Sequence, residues 1–172
     1  MQFFITETSP NGTVDSAVPA AITGLFALNT FMSGLQTGIS NIDWLELHNG
    51  TFLDTSNNPG PAFYGIQLAH DAAGVGDKIV SSTSDTGTLV AYATLKTNGQ
   101  KGVILINANA STAASVTVKL TGSTLGTTAT QYSYGVSTTQ AAPALTSTTV
   151  GITGNTFTVT VPAYTAVELL IP

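Results

Sequence analysis

The sequence has no cysteine and no arginine. Without thiols it can form neither a disulfide nor a thiolate zinc site. Apart from two histidines, its basic side chains are four lysines, and the net charge is −5. That balance lacks the basic footprint needed to neutralise a phosphate backbone, so nucleic acid is not expected as a partner. Charge of either sign is scarce: 8% of residues carry it, where about 25% is usual. Long hydrophobic runs are missing too. None approaches the roughly 20 residues that cross a bilayer, so no membrane partner is expected. Residues 1–10 show no basic stretch leading into an apolar core, so any export signal is expected to lie outside this chain.

What remains is a chain of 172 residues, 42% of them hydrophobic. That length makes one domain or two small ones and can hide about two-thirds of the unfolded surface. The low charge and the abundance of Thr, Ser, Gly, Ala and Val are familiar from exported bacterial β-proteins. A secreted, extracellular location is the corresponding expectation.

Residues 1–80 and 81–172 differ in period. In the first part a strand over 3–8 precedes a helical segment over about 16–37. There Ala21, Leu25, Leu28, Met32 and Leu35 recur at spacings of three and four, one stripe of a helix. Asp15 or Ser16 can cap it, Pro19 suits its first turn, and Gly38 is a stop. A second strand, IDWLELH over 42–48, leads through a loop to a second helix over about 61–73. The order β-α-β-α predicts parallel strands with a right-handed crossover. In the second part, alternating segments such as VTVKL and FTVTV arrive at near-regular intervals between turns, with strands expected over 78–83, 88–95, 102–108, 114–120, 129–135, 155–161 and 164–171. Residues 136–150 read as a long loop. The fold class is therefore α+β, a partial β/α-barrel segment (1–80) followed by an antiparallel β-sandwich (81–172).

Alternation along a strand puts Phe3, Ile5 and Glu7 on one face. It puts Ile42, Trp44, Glu46 and His48 on one face of the second strand. Glutamate and histidine there are costly to bury unless paired. In a β/α barrel such a face is the interior, and strand C-termini carry the chemistry.

The run FITETSPNG, the segment IDWLELHNG, the helix PAFYGIQLAHDAAG and the ending VPAYTAVELLIP together resemble the last part of a retaining clan-A glycoside hydrolase. The arabinofuranosidase-like, β-glucuronidase/heparanase-like and endoglucanase-like branches are the nearest in pattern. The resemblance covers essentially the whole chain. It implies that the chain opens at barrel strand seven, whose glutamate, within a Thr-Glu pair, is the nucleophile, here Glu7. It implies an aromatic or histidine near the sugar site from strand eight, then a sandwich packed on the barrel. Its final strand often reads P-x-Y-S/T-x-x-x-L, matched from Pro162 to Leu169. Retaining hydrolysis needs two carboxylates about 5–5.5 Å apart. In those families the acid/base follows strand four within an Asn-Glu pair, and this sequence contains no Asn-Glu pair.

Each site residue has a plainer alternative. Glu7 is either the nucleophile or an ordinary strand-end carboxylate. Glu46 is either a replacement acid, its pKa raised beside an indole, or half of a hydrogen-bonded pair with His48. Trp44, the only tryptophan, is a sugar platform or core. Tyr132 and Tyr134 form a stacking platform, or pack in the core or across strands. No spacing demands a metal, and no cofactor is expected. The expected function is carbohydrate-directed: a glycoside-hydrolase-derived chain without its proton donor, or a non-catalytic module binding polysaccharide or oligosaccharide. The open edges of two parallel strands also allow a homo-oligomer.

Overall fold

A computed structural model describes residues 2–9, 20–45, 47–48, 50–122, 124–135 and 145–172. The expected caps Asp15, Ser16 and Pro19 lie outside them, as does Glu46. The architecture is α+β, with two helices and mostly antiparallel sheets among the described residues. None of the described helices is long and apolar enough to cross a membrane. Two compact units result: the described residues up to Asp71, with Gly135, and a second unit of Ala72–Tyr134 and Leu145–Pro172.

The first unit runs β1 (Phe4–Thr8), α1 (Ala20–Thr37), β2 (Asn41–Trp44) and α2 (Pro61–Ala72). β1 and β2 pair in parallel, as the β-α-β order requires. Of the expected stripe on α1, Ala21, Leu25, Leu28 and Met32 are buried, whereas Leu35 in the last turn is exposed. The helix ends at Gly38, whose φ of +76° is the left-handed conformation that glycine takes without strain. The Gly38 N–H donates to Leu35 O at 3.2 Å and Ile39 N–H to Gly34 O at 2.9 Å, which satisfies two last-turn carbonyls. α2 starts on a proline, whose missing N–H would have no helical partner there. The two helices approach closely: a Cβ on Gly65 would overlap the carbonyl oxygen of Gly24.

β2 is shorter than expected. It ends at Trp44, Leu45 lies in a bend, and Leu47 and His48 sit in a turn. The chain folds back because Leu53 N–H donates to Leu47 O at 3.0 Å and Gly50 N–H to Leu53 O at 2.9 Å. Strand alternation therefore does not carry His48 onto the face of Trp44.

Among the described residues the second unit holds eight strands. β3 (Lys78–Val80), β4 (Leu89–Leu95), β5 (Lys101–Asn107), β10 (Thr165–Ile171), β7 (Thr128–Gly135) and β8 (Thr146–Gly151) form a six-stranded sheet in that order. β6 (Ala114–Lys119) and β9 (Thr156–Val161) form a two-stranded antiparallel sheet. β8 occupies part of the stretch read as loop. Its TSTTVG has one aliphatic side chain, so it shows no apolar alternation, and pairing with β7 supplies what its own pattern lacks. β3 pairs with β4 and so belongs to this sheet.

The core lies between the two sheets. Phe157, Val159 and Val161 alternate with solvent-facing threonines on β9 and meet Val167, Leu169 and Ile171 of β10 with Val103 and Leu105 of β5. β5 is buried along nearly its whole length, which explains its unbroken run Val103-Ile-Leu-Ile106. One polar side chain locks the end of the core. Asn107 Nδ2 donates to Thr112 O, Val161 O and Pro162 O at 2.9–3.1 Å, and Asn107 Oδ1 accepts from Asn109 N–H at 3.0 Å. A second tie forms where α2 ends. The Asp77 carboxylate accepts from Gly74 N–H, Lys96 Nζ and Thr97 N–H at 2.8–3.1 Å, with its side chain 5% exposed.

Candidate functional site

Glu7 lies at the C-terminal end of β1, exposed to solvent. The pairing there is irregular. Ile5 faces Ile42 and Thr8 faces Trp44, so Thr6 and Glu7 together stand opposite the single residue Asp43. Two residues against one is a β-bulge, a device that bends a strand and re-aims its side chains. Burial follows it: Ile5 and Thr8, three apart, are half-buried, and Thr6 and Glu7 between them are exposed. Simple alternation of Phe3, Ile5 and Glu7 thus fails at the residue of greatest interest. Alternation puts Asp43 on the face opposite Trp44. The pairing register sets that carboxylate across from the bulge, where its Oδ1 accepts from Asn41 Nδ2 at 2.7 Å. A parallel bulge has no mark in one strand's sequence, so nothing in the FITET run could have signalled it.

Past Thr8 the two strands stay tied, because Leu45 N–H donates to Thr8 O at 3.0 Å. Trp44 is half-buried, its ring tilted at 58° to that of Phe26 with centroids 6.2 Å apart. Its Nε1–H donates to Thr51 Oγ1 at 3.4 Å. The indole is thus partly core and partly available, with its polar edge already engaged.

His48 is exposed, and its ring Nε2–H donates to Asn57 Oδ1 at 2.8 Å. Asn57 has a φ of +64°, in the left-handed region that asparagine tolerates better than most residues. A compact turn holds it there. Asp54 Oδ1 accepts from Ser56 N–H and Asn58 N–H, and Asp54 Oδ2 from Asn58 Nδ2, all at 2.8 Å. The Asn58 side chain, and then its backbone N–H, keeps the Asp54 carboxyl below its usual pKa. Asp54 thus fixes the turn, and the turn fixes Asn57 against His48. Glu46 is the fourth residue expected in this unit, and it lies outside the described residues.

The tyrosines of β7 differ from the expected platform. Tyr134 is 1% exposed, so its ring presents no face to a ligand. Tyr132 is half-buried and lies across from Ser147 of β8. Burial of Tyr134 fits the core-packing alternative, and the stacking pair is reduced to one half-exposed ring, Tyr132. Among the described residues, no three His, Asp or Glu side chains gather as a metal site would need.

No family model and no curated protein matches this sequence. Solved structures do match its fold. A glycoside hydrolase family 30 subfamily 8 xylanase from Clostridium acetobutylicum aligns with 99% of this chain at TM-score 0.76 and 15% identity, over 42% of its own length. A family 51 arabinofuranosidase from Xanthomonas axonopodis pv. citri aligns with 99% at TM-score 0.76 and 16% identity, over 41% of its length. A family 44 endoglucanase from Clostridium thermocellum aligns with 99% at TM-score 0.69 and 23% identity, over 32% of its length. The chain thus has the fold of part of these clan-A glycoside hydrolases, and it spans 32–42% of their length.

Proposed function

We propose that this chain is a carbohydrate-directed, glycoside-hydrolase-derived polypeptide in which Glu7 is the nucleophilic carboxylate. What supports the reading is the position of Glu7: exposed, at the C-terminal end of a parallel strand, within a bulge. In β/α enzymes that end of the strands carries the reacting groups. The ligand is a plant-type polysaccharide or oligosaccharide, and the protein works outside the cell. Trp44 and the His48–Asn57 pair belong to the sugar-contacting surface, with Asp54 positioning that pair. Glu46 is the candidate replacement acid.

A retaining site needs a proton donor as well as a nucleophile. In such families the donor stands within an Asn-Glu pair, and this sequence contains none, so natural glycans, whose leaving oxygen must be protonated, are not turned over by the purified chain. Dinitrophenyl glycosides leave without a proton and isolate the nucleophile's part. The expected result is no release of sugar from xylan or β-glucan, and slow release of dinitrophenolate that Glu7→Gln abolishes. Equal release by wild type and Glu7→Gln overturns the assignment.

The same reading gives the exposed apolar side chains of the first unit a role. Phe3 and Phe4 are 55% and 58% exposed beside a sheet of two parallel strands, and parallel strands are ordinarily covered and paired on both sides. In the purified protein a second copy supplies that pairing. Light scattering would report an oligomer; a strictly monomeric, folded protein overturns this part.

A further inference from the structure

β6 pairs with β9 along one edge, and among the described residues no strand pairs with its other edge. Two concavities border that free edge, of about 490 Å³ and about 390 Å³. Asp85, Leu89, Val116 and Thr117 line both, so the two are one continuous groove. Its walls are the segment from Ser81 to Asp85 on one side and β6 on the other, and its floor includes Leu89, Ala91 and Leu105. All of these residues belong to the sandwich unit. Each concavity falls in the size range of ligand sites, about 300–1,000 Å³.

The chemistry of the lining selects the ligand. Asp85 and Lys119 are its charged side chains, both exposed, and neither makes a hydrogen bond or ion pair among the described residues. A single ammonium balanced by a carboxylate does not make a phosphate or polyanion site, which takes convergent cations. The hydroxyls of Ser81, Thr83, Thr117 and Thr121 line the larger concavity, and a purely apolar ligand would strip them of water without replacement. An added protein strand is disfavoured by Lys119, since a lysine on an edge strand blunts pairing. A neutral polyhydroxylated chain fits all three conditions. Its hydroxyl pairs match the Asp85 carboxylate and the threonine hydroxyls, and its C–H faces match Leu89 and Val116. The continuity of the groove along a strand of six residues, about 20 Å at 3.4 Å per residue, calls for a chain and not a single sugar.

We infer that the free edge of β6 forms a second carbohydrate-binding groove, built wholly from sandwich residues and taking a linear neutral oligosaccharide with Asp85 at its centre. Only the choice of ligand class rests on the carbohydrate-directed reading above.

The test is calorimetry and affinity electrophoresis on the full chain with linear xylo- and cello-oligosaccharides. Four proteins are compared: wild type, Asp85→Ala, Thr117→Arg and Trp44→Ala. Asp85 and Thr117 are exposed, so both substitutions leave the core untouched. Losing hydrogen bonds to a charged group weakens binding by about tenfold or more, which is the loss expected for Asp85→Ala. Thr117→Arg fills the groove and abolishes binding there. The inference is overturned if wild type binds neither oligosaccharide, or if both groove variants bind undiminished. It is also overturned if a threonine–valine alternating peptide competes for β6 and the sugars do not. Binding lost in Trp44→Ala but kept in Asp85→Ala overturns the groove and leaves the Glu7 reading standing. Failure of Glu7-dependent release with groove binding intact does the reverse.

Discussion

On β9, Phe157, Val159 and Val161 alternate with exposed threonines and close onto Val167, Leu169 and Ile171. In the βα unit, by contrast, Phe3 and Phe4 stand more than half exposed beside two parallel strands. Antiparallel sheets can leave one face to water, and the sandwich uses that freedom with threonine. Parallel sheets have no such freedom, because their crossover helices cover a face and their edges need partners. The sandwich therefore completes its own core, whereas the two βα repeats hold a helix pair and a strand pair but leave apolar surface open. Cores carry stability and strand ends carry chemistry, so the two units answer to different experiments.

The sharpest contrast comes from the sandwich core. Leu169 is fully buried between the sheets, and Leu169→Ala is expected to cost about 2–5 kcal/mol by lost burial and a residual cavity. Urea unfolding measures it, and a loss below 1 kcal/mol would mean that the core is not where it is described. Next is the helix crossing of the βα unit. Gly65→Ala gains up to about 1 kcal/mol of helix propensity but drives a methyl into Gly24 O, and overpacking costs about 1–3 kcal/mol. Net destabilisation is expected in the same assay, and a stabilised variant would contradict the close crossing.

A smaller and conditional effect belongs to Asp77. The Thr97 N–H, then Lys96 and the Gly74 N–H, lower its pKa from 3.8 to about 2, against the opposing effect of burial. The folded state therefore binds fewer protons than the unfolded state between those values, and stability rises with pH across that window. The advantage of wild type over Asp77→Asn should be full above about pH 4, shrink as pH falls toward 2, and vanish below it. A difference that persists unchanged at pH 2 would contradict the mechanism. The smallest effect is expected at Phe4. Phe4→Ser should change unfolding free energy by no more than about 0.5 kcal/mol, as surface substitutions do, while reducing self-association in light scattering. A large loss of stability would show that Phe4 is covered.

Legibility in the sequence followed the same division. The period of two on β6 and β9 and the period near 3.6 on α1 are direct consequences of one face being buried, so both were readable. β8 was not, because TSTTVG carries almost no apolar signal and owes its place to β7. Around Glu7, the parallel order of strands followed from β-α-β, but the bulge depends on how two strands meet and left no trace in either. The early end of β2 had a similar cause. IDWLELH reads as one strand through residue 48, yet the turn bonds from Leu53 and Gly50 take Leu47 and His48 out of it. For Tyr134 the platform and core readings both stayed open, because alternation assigns faces without saying which one is covered.

The central claim is that Glu7 is a nucleophile, and trapping it is the most direct measurement. Incubation with dinitrophenyl 2-deoxy-2-fluoro glycosides, followed by peptide mass spectrometry, should find a fluoro-glycosyl ester on the N-terminal peptide at Glu7 and none in Glu7→Gln. Labelling at another carboxylate, or an unlabelled protein under conditions that label a complete retaining enzyme, would contradict the account.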